Sequence, residues 1–101
     1  MKEYNKLVRD RIPEIITAKG GKSVTHTATS EEYKHKAIEK LQEEMAEFLE
    51  SKNAEELADL LEIIYAVAGS LGVSKDELEA MRSKKAIERG GFTKRIILER
   101  S

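Results

Sequence analysis

Cysteine is absent from the 101 residues, which removes disulfides and thiolate metal sites and is compatible with a reducing compartment. An excess of positive charge is also missing: 18 basic residues face 19 acidic ones, the formal net charge is -1 and the isoelectric point is near 6.2. The broad basic field of a duplex-DNA binder is therefore not there. No apolar run approaches the roughly 20 residues needed to span a bilayer, and the opening MKEYNKLVRDRIPEII has no apolar h-region. These absences predict a soluble cytoplasmic protein that binds neither nucleic acid nor membrane. Proline occurs once, and no linker, repeat or low-complexity stretch interrupts the chain, so residues 1–101 are expected to form one domain. A P-loop and a GxGxxG are both lacking, and Gly20-Gly21 and Gly90-Gly91 are too short to count as phosphate loops on their own. Nothing supports a serine or cysteine nucleophile.

What the chain has is charge and helix formers. Charged residues make up 37% and hydrophobic residues 40%, a balance that favours helix over strand. At 11.4 kDa the burial fraction is modest, and a partner subunit would complete the core. Asp10 is expected to cap a first helix that carries Pro13 in its first turn and ends near Lys19 at Gly20-Gly21. KSVTHT, residues 22–27, alternates weakly and predicts a short strand. Thr29-Ser30-Glu31-Glu32 opens a second helix running to about Ser51, and Asn53-Ala54-Glu55-Glu56 opens a third that ends between Gly69 and Gly72. Ser74-Lys75-Asp76-Glu77 starts a fourth, which stops at Arg89-Gly90-Gly91. The tail FTKRIILER is β-branched, with KSVTHT its only partner for a small two-stranded ribbon. The expected fold is all-α, an antiparallel bundle of about four helices, with that ribbon as its one β feature.

The acids are unevenly placed. On the second helix Ile38, Leu41, Met45, Phe48 and Leu49 form an apolar stripe, with Glu44 at its border and Glu47 on the same flank. On the third, Leu57, Leu60, Leu61, Ile64 and Leu71 form one stripe, and Glu56, Asp59, Ile63 and Val67 form another. LLEIIYAVAGSLGV, residues 60–73, is apolar nearly all round and should be buried centrally or against a second chain. That would draw Glu56 and Asp59 inward, where unpaired carboxylates cost several kcal/mol and require a cation or strong donors. A short connection makes the two helices antiparallel neighbours, setting ExxE (Glu44, Glu47) opposite ExxD (Glu56, Asp59). Four hard oxygens without sulfur or imidazole suit Mg²⁺, with Mn²⁺ as a substitute. Each acid also has an ordinary role open to it: Glu56 is the third residue of a capping box, and Glu44 lies four residues from Lys40.

Lys40-Leu41-Gln42-Glu43-Glu44-Met45-Ala46-Glu47, followed by Glu56-Leu57-Ala58-Asp59, resembles the EExxE…ExxD signature of the all-α nucleoside triphosphate pyrophosphohydrolases, the MazG-like superfamily. YNKLVRDRIPEI, residues 4–15, and RGGFTKRIILE, residues 89–99, resemble its small phosphoribosyl-ATP-pyrophosphohydrolase-like branch. The resemblance implies a homodimer or a tetramer of dimers that binds Mg²⁺ through Glu44, Glu47, Glu56 and Asp59. Glu43 is implied as either a further ligand or an orienter of water. Only eight residues separate Glu47 from Glu56, fewer than is common in the superfamily, which makes Glu55 and Glu62 alternatives to an assigned ligand. Ser83 stands where relatives carry Asn ahead of the positions of Lys85 and Arg89.

A triphosphate needs further cations. Lys6, Arg9 and Arg11 precede the first helix, while Lys85 and Arg89, four apart, close the fourth beside Gly90-Gly91. Phe92 is the candidate for stacking on a base. The expected reaction is cleavage between the α and β phosphates to a nucleoside monophosphate and pyrophosphate, with Glu43 or Glu47 taking a proton from water; the resemblance implies removal of non-standard nucleotides as the role. Two rivals remain. Glu32-x-x-His35 has the spacing of a di-iron bundle but needs a second copy that the chain lacks. A non-enzymatic oligomerisation or adaptor module would use the third helix as its interface and the acids as solvated surface.

Overall fold

The computed structural model describes residues 2–101 and contains four helices: α1 (Ile12–Ala18), α2 (Ser30–Ser51), α3 (Ala54–Ser70) and α4 (Lys75–Arg89). Local capping accounts for most of the boundaries. Thr29 Oγ1 accepts from the Glu32 amide at 3.2 Å, Asn53 Oδ1 accepts from the Glu55 amide at 2.8 Å, and Ser74 and Glu77 close a reciprocal capping box. Gly20 and Gly72 take φ of 84° and 81°, which lets Gly21 and Val73 donate back to Ile16 and Ala68 at 2.9 Å and ends α1 and α3. The expected Asp10 cap does not form. Arg11 takes the N-cap position of α1 without a side-chain bond, and the Ile12 amide donates to the Arg9 carbonyl at 3.0 Å, so the backbone of a preceding turn does what Asp10 was expected to do.

α2 and α3 pack together as the central hairpin, joined only by Lys52 and Asn53. Lys52 makes this tight reversal by adopting φ of 53°, in the left-handed region. α4 leaves α3 at a bend of 107° and touches it lightly. The radius of gyration is 17.4 Å and the extents are 56 × 31 × 23 Å, against about 13 Å for a compact chain of this length. The single chain is therefore elongated, with its core confined to the hairpin.

The helix faces turn differently from the expected stripes. Ala37, Ile63 and Ala68 are buried, and so is Glu44, whereas Ile38, Met45, Leu49, Leu57 and Leu61 are each between 44% and 59% exposed. Small residues let α2 and α3 approach closely, and the ridge carrying Glu56, Asp59, Ile63 and Val67 is the one directed inward. Several of the larger apolar side chains are left on the outside.

Among the described residues no strand forms. Residues 22–27 and 92–99 lie outside regular structure, with Val24, Ile96, Ile97 and Leu98 all more than three-quarters exposed. Strand propensity is realised only against a packing surface, and an isolated two-stranded ribbon is marginal in water. No single helix among the described residues is long and apolar enough to cross a membrane.

Candidate metal centre

Glu44, Glu56 and Asp59 each direct one carboxylate oxygen into a common point, the three atoms lying within 4.8 Å of one another. The hairpin brings them together, with Glu44 from the middle of α2 and Glu56 and Asp59 one turn apart on α3. Two oxygens around one ion lie at most two metal–oxygen bonds apart, about 4.2 Å for Mg²⁺ and about 5 Å for Ca²⁺. A small side-chain adjustment would bring this trio to magnesium distances.

Glu44 is the deepest member, its side chain 10% exposed. One oxygen lies 3.3 Å from Lys40 Nζ; the other is buried without a hydrogen-bond partner among the described residues. Burial pushes its pKa up, Lys40 opposes this, and the charges of Glu47 and Asp59 push it further up. Glu56 is the second case of an orphaned buried oxygen, at Oε2. Its alternative role as the returning partner of a capping box is not taken: the Asn53 amide donates instead to Ser51 Oγ at 3.2 Å. Buried polar atoms without partners are uncommon and each asks for a ligand or a compensating charge. Two in one cluster, both acceptors, fit a cation. Asp59 is partly satisfied, accepting from Arg9 Nη2 at 2.7 Å.

The other predicted acids behave differently. Glu43 sits beside the cluster but is held by Lys6 Nζ at 2.9 Å and Lys40 Nζ at 3.4 Å, and the bond from Lys6 is the main reason its pKa falls. Glu47 is exposed and contributes no oxygen to the trio, although its charge reaches both Glu44 and Lys6. Of the two alternatives, Glu62 lines the neighbouring cleft, while Glu55 is exposed.

That cleft, of about 420 Å³, has Arg9, Arg11, Tyr33 and Lys40 on its walls together with Glu44 and Asp59. Its size is adequate for a small ligand. Arg11 also reaches Glu14 at 3.1 Å. Lys85, Arg89 and Phe92 take no part in lining it; Phe92 is 97% exposed and lies with the tail residues Lys94 to Ile97. His35 is exposed, and Glu32 is engaged by His26 Nε2 at 2.9 Å instead, so the ExxH pair assembles no metal group. Sequence reasoning paired Lys40 with Glu44 and missed that Lys40 reaches Glu43 as well, so that it bridges the two acids. Its signal was the i+3 spacing. It also missed Lys36, which donates to the Asn5 carbonyl at 2.7 Å and ties residues 2–11 to α2. Comparisons with protein-family profiles, curated proteins and solved structures find no match.

Proposed function

We propose that the chain is a metal-dependent nucleoside triphosphate pyrophosphohydrolase in which Glu44, Glu56 and Asp59 hold Mg²⁺ or Mn²⁺. The single observation that carries the metal reading is that two of the three clustered carboxylates, Glu44 on α2 and Glu56 on α3, each bury an oxygen without a hydrogen-bond partner among the described residues. The choice of a nucleoside triphosphate rests on the EExxE…ExxD resemblance and on the basic wall beside the acids. A bound divalent ion supplies charge neutralisation for phosphate oxygens and a water of lowered pKa. Arg9 and Arg11 on the cleft wall orient the phosphate chain through their fork-shaped donors. Glu47 accepts the proton from the attacking water in this reading. Glu43 is the weaker base because Lys6 holds it ionised.

The exposed face formed by Ile38, Met45, Leu49, Leu57, Leu61 and Ile64 is the surface on which we place a second copy, giving a homodimer. The rival adaptor module draws on that same face but needs neither the cleft nor the acids. Thermal melting with Mg²⁺ and a nucleotide separates the two, since a ligand of the folded chain must raise the midpoint.

The decisive assay is a panel of ordinary and damaged nucleotides, with dUTP and phosphoribosyl-ATP included, incubated with Mg²⁺. Pyrophosphate and a monophosphate are the expected products, and Glu56→Ala and Asp59→Ala should each abolish turnover while remaining helical. Orthophosphate from every substrate, or full activity in both variants, would overturn the proposal.

A further inference from the structure

We propose that the N-terminal arm, residues 2–11, is a cation-exchanged clamp: Asp59 passes from Arg9 to a divalent ion, and the released arm then closes on the phosphates of the substrate. The inference rests on the metal reading above and adds a sequence of events to it. The arm has no helix of its own and is tied to the hairpin by three polar contacts distant in sequence. Two of those anchors are acids of the candidate site or beside it: Arg9 Nη2 to Asp59 Oδ1 at 2.7 Å and Lys6 Nζ to Glu43 Oε1 at 2.9 Å. Only the third, from Lys36 to the Asn5 carbonyl at 2.7 Å, is independent of the acids.

Both anchors at the acids are partly exposed, Arg9 at 57% and Asp59 at 40%, and ion pairs of that kind hold weakly. A dication drawing on Asp59 stands within one carboxylate of the Arg9 guanidinium, and the two like charges repel. Arg9 is the one free to leave, because the arm has no packed element to hold it there, whereas Lys40 is largely buried between Glu43 and Glu44. Once freed, Arg9 lies on the wall of the same cleft as Arg11, and a phosphate presents the planar pair of acceptors that a guanidinium matches best. The Lys36 and Lys6 anchors keep residues 5 and 6 attached throughout, so the movement is confined to residues 7–11, between those anchors and α1. Asn5 adopts φ of 47°, a left-handed conformation that asparagine tolerates.

The test measures Mn²⁺ binding by calorimetry for the wild-type chain, Arg9→Gln and Lys2→Gln, with far-UV circular dichroism confirming helix content. Lys2→Gln removes the same charge from the arm without touching an acid. Arg9→Gln should bind Mn²⁺ more tightly, by about 1.5- to fivefold, the worth of an exposed ion pair converted at tenfold per 1.4 kcal/mol. Lys2→Gln should match the wild type. Limited trypsin digestion of the wild-type chain needs no variant: cleavage after Arg9 and Arg11 should quicken when Mn²⁺ is added and slow again when a non-hydrolysable nucleoside triphosphate follows. Unchanged or weaker affinity in Arg9→Gln, or protection of the arm by Mn²⁺ alone, overturns the clamp and leaves the metal site standing. A wild-type chain that binds no Mn²⁺ overturns the metal site, and the clamp with it.

Discussion

Replacing Glu44 by Gln should stabilise the chain in chelator while destroying its response to magnesium. Glu44 is 10% exposed at the side chain, keeps one oxygen near Lys40 and leaves the other buried without a donor. A buried acceptor left unsatisfied costs about 1–3 kcal/mol. The glutamine amide is nearly isosteric, no longer repels Asp59 and Glu47, and needs only a small side-chain adjustment to donate to the orphaned Glu56 oxygen, since the two carboxylates contribute to one cluster no wider than 4.8 Å. Lys40 keeps Glu43 as its partner, so its charge is not stranded. The net gain is estimated at about 1 kcal/mol, at the low end of that range because Lys40 already offsets part of the cost. For a domain of this size 1 kcal/mol moves the melting midpoint by about 4–8 °C. The assay is thermal unfolding by circular dichroism at fixed protein concentration, in EDTA and in millimolar Mg²⁺, for both proteins. The wild type should gain stability with Mg²⁺ and the variant should not. A variant that melts below the wild type in EDTA, or one whose magnesium shift matches it, would refute the reasoning that Glu44 is an unsatisfied charge reserved for a cation.

The pH dependence has a sign set by two neighbours. Glu44, raised above the ordinary carboxyl value of 4.5 chiefly by burial, holds protons more tightly in the folded chain, so its contribution to stability falls as pH rises from there through its folded pKa. Glu43, lowered chiefly by Lys6, has the opposite sign: its contribution is present above 4.5 and is lost as pH falls through its folded pKa. The stability advantage of Glu44→Gln over the wild type, measured by urea unfolding, should therefore grow from pH 4.5 upward and then level off; an advantage that shrinks in that range contradicts the assignment. On the proposed dimer reading, Leu61→Lys, on the exposed face of α3, should leave the helix content intact and sediment as a monomer where the wild type sediments as a dimer. Identical sedimentation of both chains would remove that face as the interface. Ser74→Ala breaks the capping box of α4 and should cost about 1 kcal/mol; because α4 packs lightly, faster hydrogen exchange confined to residues 75–79 is the expected signature, and uniform destabilisation would show α4 to be integral to the core.

The helix boundaries were legible because the interactions that set them are local. Thr29 with Glu32, Asn53 with Glu55 and Ser74 with Glu77 each act within three residues, so their residue types announce them directly. Which face of a helix is buried is a different kind of fact. Ile38, Met45 and Leu49 outscore Ala37 and Glu44 on any hydrophobic count, yet the latter two are the buried ones: close approach of two helices favours a small residue such as Ala37 at the contact, and Glu44 turns toward the acids of α3. The acids show the same division. Glu44, Glu56 and Asp59 could be grouped from ExxE and ExxD on antiparallel neighbours, whereas Glu47 stands about 60° round the helix from Glu44 and contributes no oxygen to the trio; spacing alone cannot tell which of the two faces α3. The basic residues depend still more on tertiary geometry. Arg9 meets Asp59 across fifty residues of sequence, and Lys85 and Arg89 are carried away from the cleft by a 107° turn that no amphipathic pattern encodes. Amphipathic spacing thus identifies candidate acids, and the hairpin contact selects among them. The cations around them are placed by an arm tied to the acids it meets and by a bend that follows the end of α3 at Gly72.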